Sequence, residues 1–185
     1  GFVDAARLLN IRGCSITIPH KVDIIPLLDE TSAGVKEMGA CNTIYRDGEK
    51  LCGENTDVIG FMAPLQKRSL PPDTRALVLG AGGVSRAAIA GLRRLGLTNI
   101  TLTNRRKERA EALCNEFGLL CAPWEERGDV PADLIINTTS LGMTGAQEHE
   151  TPYPSPFQGS GIAYDLIYTP FQTRFLLDAA AAGWE

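Results

Sequence analysis

The 185-residue chain is 44% hydrophobic with a formal net charge of −4, enough apolar material for one domain or two small ones. That charge leaves no basic field for nucleic acid or an anionic membrane, and no apolar run approaches the roughly 20 residues of a membrane helix. The first residues do not read as a secretory leader. Five cysteines, odd in number and without a Cys-x-x-Cys pair, read as thiols in a reducing compartment, so the expected setting is cytoplasmic. With two histidines, no metal site is expected. The chain opens on Gly1 and closes on Glu185 straight after a helical pattern, which reads as a piece of something longer.

In chain order, residues 2–9 have helical spacing, stopped by Asn10 and Gly13. Residues 14–18 alternate as a strand ended by Pro19. Residues 22–28 predict a short helix despite Pro26, and 31–38 another. Segments 42–46 and 49–52 flank Asp47-Gly48, a hairpin signal because a two-residue turn needs positive φ. A helix follows Asp57, with Pro64 placed to kink or shorten it. Ser69-Leu70-Pro71-Pro72-Asp73 then breaks the chain, which sets a domain boundary between 1–68 and 69–185.

Beyond the break, strands and helices alternate. Residues 76–79 form an all-apolar run, as a parallel strand covered on both faces requires. A helix at 84–95, a strand at 99–103 and a helix at 107–117 follow. Further strands are expected at 119–121, 134–137 and 162–166, and a last helix at 172–182. Right-handed βαβ crossovers from this series make a doubly wound sheet, so the fold class is α/β in two domains. There is no internal repeat.

Gly80-Ala81-Gly82-Gly83-Val84-Ser85 lies between the first strand and first helix of that series. A Gly-x-Gly-x-x-Gly match alone is weak, but here the context supports it. Gly80 permits the tight turn, Gly82 lets the backbone approach a pyrophosphate, and helix N-terminal amides face that anion. Ser85 takes the third small position. At the end of the next strand, an NAD site would place an acid; this chain has Asn104-Arg105-Arg106 instead. A guanidinium forks onto a 2′-phosphate that a carboxylate would repel, so NADP is preferred over NAD.

Upstream, Lys21 follows a strand end and Asp57 heads a helix. By spacing alone, each also fits a surface lysine or a helix cap. The strings Ser15-Ile16-Thr17-Ile18-Pro19-His20-Lys21, Gly39-Ala40-Cys41-Asn42-Thr43-Ile44 and Gly53-Glu54-Asn55-Thr56-Asp57 resemble signatures of the shikimate dehydrogenases. So do Gly80-Ala81-Gly82-Gly83, Asn104-Arg105, Asn137-Thr138-Thr139-Ser140-Leu141-Gly142-Met143 and Tyr164-Asp165-Leu166-Ile167-Tyr168, in the same order across almost the whole chain.

The resemblance implies an NADP-dependent enzyme that reduces 3-dehydroshikimate reversibly, on the route to chorismate and the aromatic amino acids. It implies a substrate domain truncated at its start, a Rossmann-type NADP domain truncated at its end, and Lys21 and Asp57 as the catalytic pair. Thr17 and Asn42 would hold ring hydroxyls, Tyr168 would stand beside the substrate, and Thr138 and Met143 would line the nicotinamide side. The partner is a small molecule, and the enzyme a monomer or homodimer. Val58, where the family usually has Gly, and Thr169-Pro170-Phe171-Gln172-Thr173-Arg174, where it more often reads Asn-Pro-x-x-Thr-Pro, depart from the pattern. The competing expectations are a quinate/shikimate dehydrogenase using NAD or NADP, and a non-catalytic NADP-binding module. A folate-type dehydrogenase finds no support in the aspartate loop.

Overall fold

The computed structural model describes residues 1–17, 19–154 and 156–185 and divides into two compact units, Gly1–Ala63 and Pro64–Glu185. Ile18, the expected end of the first strand, lies outside the described residues.

In the first unit, α1 (Phe2–Leu8) buries Val3 and Ala6. It is followed by β1 (Gly13–Ser15), β2 (Glu30–Thr31), α2 (Ala33–Met38), β3 (Thr43–Asp47), β4 (Lys50–Glu54) and the start of α3 (Asp57–Leu65). The sheet order is β1-β3-β4-β2, antiparallel except for β2 alongside β4. Apolar side chains from both structural types, among them Val3, Val35, Ile44 and Leu51, close into one cluster. Each such burial contributes about 1.5–3 kcal/mol.

Three expectations shift here. Residues 22–28 form turns around a single 3-10 turn, Ile25–Leu27, because Pro26 has no N–H to donate and Leu28 swings to extended backbone. α2 starts at Ala33 rather than Thr31, since Ser32 caps it by accepting from the Val35 amide while Thr31 pairs in β2. The hairpin turns on Gly48-Glu49, one residue later than expected, with Asp47 paired to Lys50 and Gly48 at φ 57°. The compact units part between Ala63 and Pro64. α3 carries the chain past that point with Pro64 in its last turn.

The second unit runs β5 (Ala76–Leu79), α4 (Gly83–Arg94), β6 (Ile100–Thr103), α5 (Lys107–Phe117), β7 (Leu120–Cys121), β8 (Leu134–Asn137), β9 (Ile162–Asp165) and α6 (Arg174–Ala181). All five strands are parallel in the order β7-β6-β5-β8-β9. β5 and β8 are buried along their whole length, as the apolar run of β5 and of Leu134–Ile136 requires, with polar Asn137 closing β8. The chain winds outward from β5 to β7, then returns to β8 and β9 on the other side. The order therefore reverses between β5 and β8, where open α/β sheets bind ligands.

Register fixes what faces that point. Leu79 pairs with both Thr103 and Asn137, and Asn137 with Asp165, so four strands end in one row. Each sequence motif of this unit begins within one residue of that row. Tyr153, Phe157, Phe175 and Trp184 pack with Leu77, Leu79 and Ile135 on one face of the sheet.

Candidate functional site

The first unit gathers a polar cluster from three segments. Lys21 Nζ lies 2.7 Å from Asp57 Oδ2, and both side chains are largely shielded. Asn42 Nδ2 donates to Asp57 Oδ1 at 2.7 Å and to Thr56 Oγ1 at 3.1 Å, while its oxygen accepts from the Thr56 amide. Lys21 is anchored through its backbone, because the Cys41 amide donates to the Lys21 carbonyl. Asp57 is the first residue of α3, but its carboxylate meets a lysine and an amide instead of only capping the helix.

Sequence reasoning gave Asn55 no role of its own. This side chain is 4% exposed, donates to the Ala40 carbonyl at 2.8 Å and accepts from the Asp57 amide at 3.0 Å. A buried amide satisfied at both ends sets where α3 begins, and with it the direction of Asp57. The signal was present in the Glu54-Asn55-Thr56-Asp57 string, but its meaning needed the third dimension. Thr17 is exposed in the lysine loop, where the His20 amide donates to its carbonyl.

In the second unit, the ends of β5, β6 and β8 frame a cleft of about 280 Å³. Gly80, Ala81 and Gly82 form its floor, Asn104, Arg105 and Arg106 one wall, and Thr138 part of another. Gly80 sits at φ 117°, and a Cβ there would stand 2.6 Å from Thr138 Oγ1. Gly82 and Gly83 would direct a Cβ into open space, so their exposed backbone and the α4 N-terminus form a cradle that side chains do not fill.

Ser85 and Thr138 build the turn from beneath. The Gly82 amide donates to Ser85 Oγ at 3.0 Å, Ser85 Oγ lies 2.7 Å from Thr138 Oγ1, and Thr138 donates to the Leu79 carbonyl. With both outer bonds fixed, the middle proton belongs to Ser85. Ser85 is completely buried, and through these bonds its hydroxyl supports the turn. Gly83, Val84 and Met143 do not line the cleft, and Met143 is half-exposed.

Arg109, Trp124 and Gln147 do line it, although the sequence reading passed over them. Arg109 lies one helical turn beyond Arg105-Arg106, a spacing that could have flagged it. Trp124 and Gln147 come from loops whose path no periodicity predicts. Among the described residues, Arg105, Arg106 and Arg109 are exposed and form no ion pair, so three cations stand together beside a helix N-terminus. That donor set fits a dinucleotide bearing an extra phosphate.

Buried Asn137 shapes the adjoining loop. Its oxygen accepts from the amide and hydroxyl of Thr139, and its nitrogen donates to the Leu141 carbonyl and to Asp165 Oδ1. Burial pushes the Asp165 carboxyl up from its ordinary value, against bonds from Thr173, Ile167 and Asn137 that lower it. Tyr168, a short step past β9, is 89% exposed.

Two family models match the chain: the shikimate dehydrogenase substrate binding domain over residues 1–44, and shikimate / quinate 5-dehydrogenase over 65–140. A shikimate dehydrogenase (NADP(+)) of Pelobacter propionicus is 54% identical over the whole chain, which covers 68% of that protein. The chain belongs to the shikimate dehydrogenase family. It spans about two thirds of the length of its relatives. Among solved structures, a shikimate 5-dehydrogenase from Thermus thermophilus in complex with NADP(H) and shikimate matches all of this chain over 69% of its own, with 37% identity and a TM-score of 0.88. A quinate dehydrogenase from Corynebacterium glutamicum in complex with NAD matches equally fully over 69% of its own chain, with 30% identity and a TM-score of 0.90.

Proposed function

We propose that this chain carries the NADP-dependent, reversible reduction of 3-dehydroshikimate to shikimate. The observation that carries the reading is the Lys21–Asp57 contact at 2.7 Å, made between residues 36 positions apart and completed by Asn42. The family relationship and the relatives named for NADP and shikimate support it.

Reducing a ketone to an alcohol needs a hydride at carbon and a proton at oxygen. Bound NADPH supplies the hydride. Lys21 presents an ammonium where negative charge grows on the carbonyl oxygen, and it can deliver the proton. Asp57 holds that ammonium in place and accepts from a ring hydroxyl. Asn42 and Thr17 supply further fixed partners, which a polyol needs because an unpaired buried hydroxyl is costly. Tyr168 is proposed to face the substrate. On the cofactor side, the Gly80–Gly82 backbone takes the pyrophosphate and Arg105, aided by Arg106 and Arg109, the 2′-phosphate. Thr138 fixes the turn, and Asn104 restrains the arginine loop by donating to the Arg106 carbonyl at 2.8 Å. Val84, Ser85 and Gly83 act through the shape of the turn, and Met143 is proposed for the nicotinamide side. The proposed setting is the cytoplasm, as a monomer or homodimer.

A second reading, oxidation of quinate with NAD, draws on the quinate dehydrogenase likeness. The three arginines favour NADP over it. Initial rates with shikimate and quinate, each paired with NADP and NAD, test the choice. Shikimate with NADP should be fastest, and a faster quinate–NAD rate would overturn the assignment.

A further inference from the structure

The arginines account for phosphates, but none of them offers a neutral flat face for an adenine ring. Trp124 does. It opens a 3-10 turn, Trp124–Glu126, directly after β7, the strand beside β6. It lines the glycine-turn cleft and also the hollow beside it, a double position that among the described residues only Asn104 and Arg105 share. The indole is half-buried, so it is neither a core residue nor free at the surface.

Its orientation is held from behind. The Arg127 guanidinium lies 4.1 Å from the centroid of the indole, stacked on one face. Arg127 is itself pinned, with Nε donating to the Pro152 carbonyl and Nη1 to the Trp124 carbonyl, both at 2.6 Å. A stacked and doubly anchored cation fixes the ring and occupies one face. Arg127 leaves the opposite face and the ring edges uncovered by its guanidinium, on a residue that lines the same cleft as Arg105.

We propose that Trp124 is the stacking platform for the adenine of the dinucleotide and that Arg127 is its positioning residue. The inference rests on the NADP reading above and names the part of the cofactor that the arginines leave unaddressed. Selectivity then divides: the arginines read the 2′-phosphate, whereas Trp124 adds affinity common to every adenine nucleotide.

The test is titration of the purified protein with adenosine 2′,5′-bisphosphate and adenosine 5′-diphosphate, read by calorimetry and indole fluorescence. Trp124→Ala should weaken both nucleotides about 10- to 100-fold, the range for loss of one base–aromatic stack. The preference between them should stay as in the parent. Trp124→Phe should retain most of the affinity, whereas Trp124→Leu, apolar but without a π-face, should not. Nucleotide should quench parent emission, and the quenching should vanish in Trp124→Phe. Arg127→Ala should bind less tightly and Arg127→Lys fall between. Unchanged affinity in Trp124→Leu, or no quenching at saturation, would overturn the proposal. Absence of binding by the parent would instead sink the NADP reading beneath it.

Discussion

Ser85 Oγ and Thr138 Oγ1 meet at 2.7 Å across 53 residues of sequence, tying the glycine turn after β5 to the loop after β8. The contact stands at the point where strand order reverses, and it holds the floor and one wall of the cleft in register. Deleting the hydroxyl in Ser85→Ala leaves the Gly82 amide without its acceptor. A loss of about 1–3 kcal/mol in unfolding free energy is expected. Urea denaturation checks it, and a midpoint equal to the parent's would remove Ser85 from the support of the turn.

Gly80 faces the same contact from the chain side. Gly80→Ala would place a Cβ 2.6 Å from Thr138 Oγ1 on a backbone at φ 117°. Strain there should cost about 1–3 kcal/mol or more. Gly82→Ala, directed into open space, should cost little stability yet weaken NADPH binding. Thermal melts and cofactor titrations on the pair should dissociate in that way, and matching behaviour would argue against the cradle.

Arg105→Ala tests the cofactor preference. Losing a charge-assisted contact with phosphate should cost about 1.5–3 kcal/mol, roughly a 10- to 150-fold loss of NADPH affinity. NADH affinity should hardly change. Equal losses for the two cofactors would refute 2′-phosphate recognition by this residue.

Lys21→Ala should lower kcat by roughly 10²–10⁴ while leaving NADPH binding intact, the span expected for a positioned proton donor. Asp57→Asn should also slow turnover, because it removes the carboxylate that orients the ammonium. Turnover within a few-fold of the parent in Lys21→Ala would reduce the residue to a structural partner of Asp57.

Acid stability carries a separate signature. Three bonds from Arg75 hold the Asp133 carboxyl down at about 2, from an ordinary 3.8. An acid with a depressed folded value stabilises the fold fully above its unfolded value and ceases to do so as pH falls through its folded one. The loss should therefore develop between about pH 4 and pH 2. Both side chains are more than 40% exposed, so the pair contributes less than about 1 kcal/mol. Asp133→Asn should flatten that part of the stability–pH curve, which unfolding series from pH 2 to 7 would reveal.

Much of this molecule is legible in the sequence because its signals are local. Apolar runs define β5 and the first three residues of β8, Gly39 and Gly118 close α2 and α5 in the left-handed conformation, and glycines mark the nucleotide turn. The Lys21, Asn42 and Asp57 strings point to one chemistry before any coordinates exist. Local signals also mislead. Pro26 leaves residues 22–28 only a 3-10 turn where their spacing predicts a helix.

What only the tertiary structure decided is which side chains look outward and which hold others in place. Ser85, read from its motif as a cofactor residue, proved fully buried because its hydroxyl completes a proton chain from Gly82 to Leu79. Asn55 fixes Asp57, and Asn137 fixes the loop after β8, through bonds that no spacing rule encodes. Arg109, Trp124 and Gln147 joined the cleft because parallel pairing ends β5, β6 and β8 in one row, bringing loops distant in sequence to the same edge. Residue type and order along the chain determine which chemistry is present. Register and burial decide which of those groups a ligand can reach, since both depend on strands and loops that meet only in the folded chain.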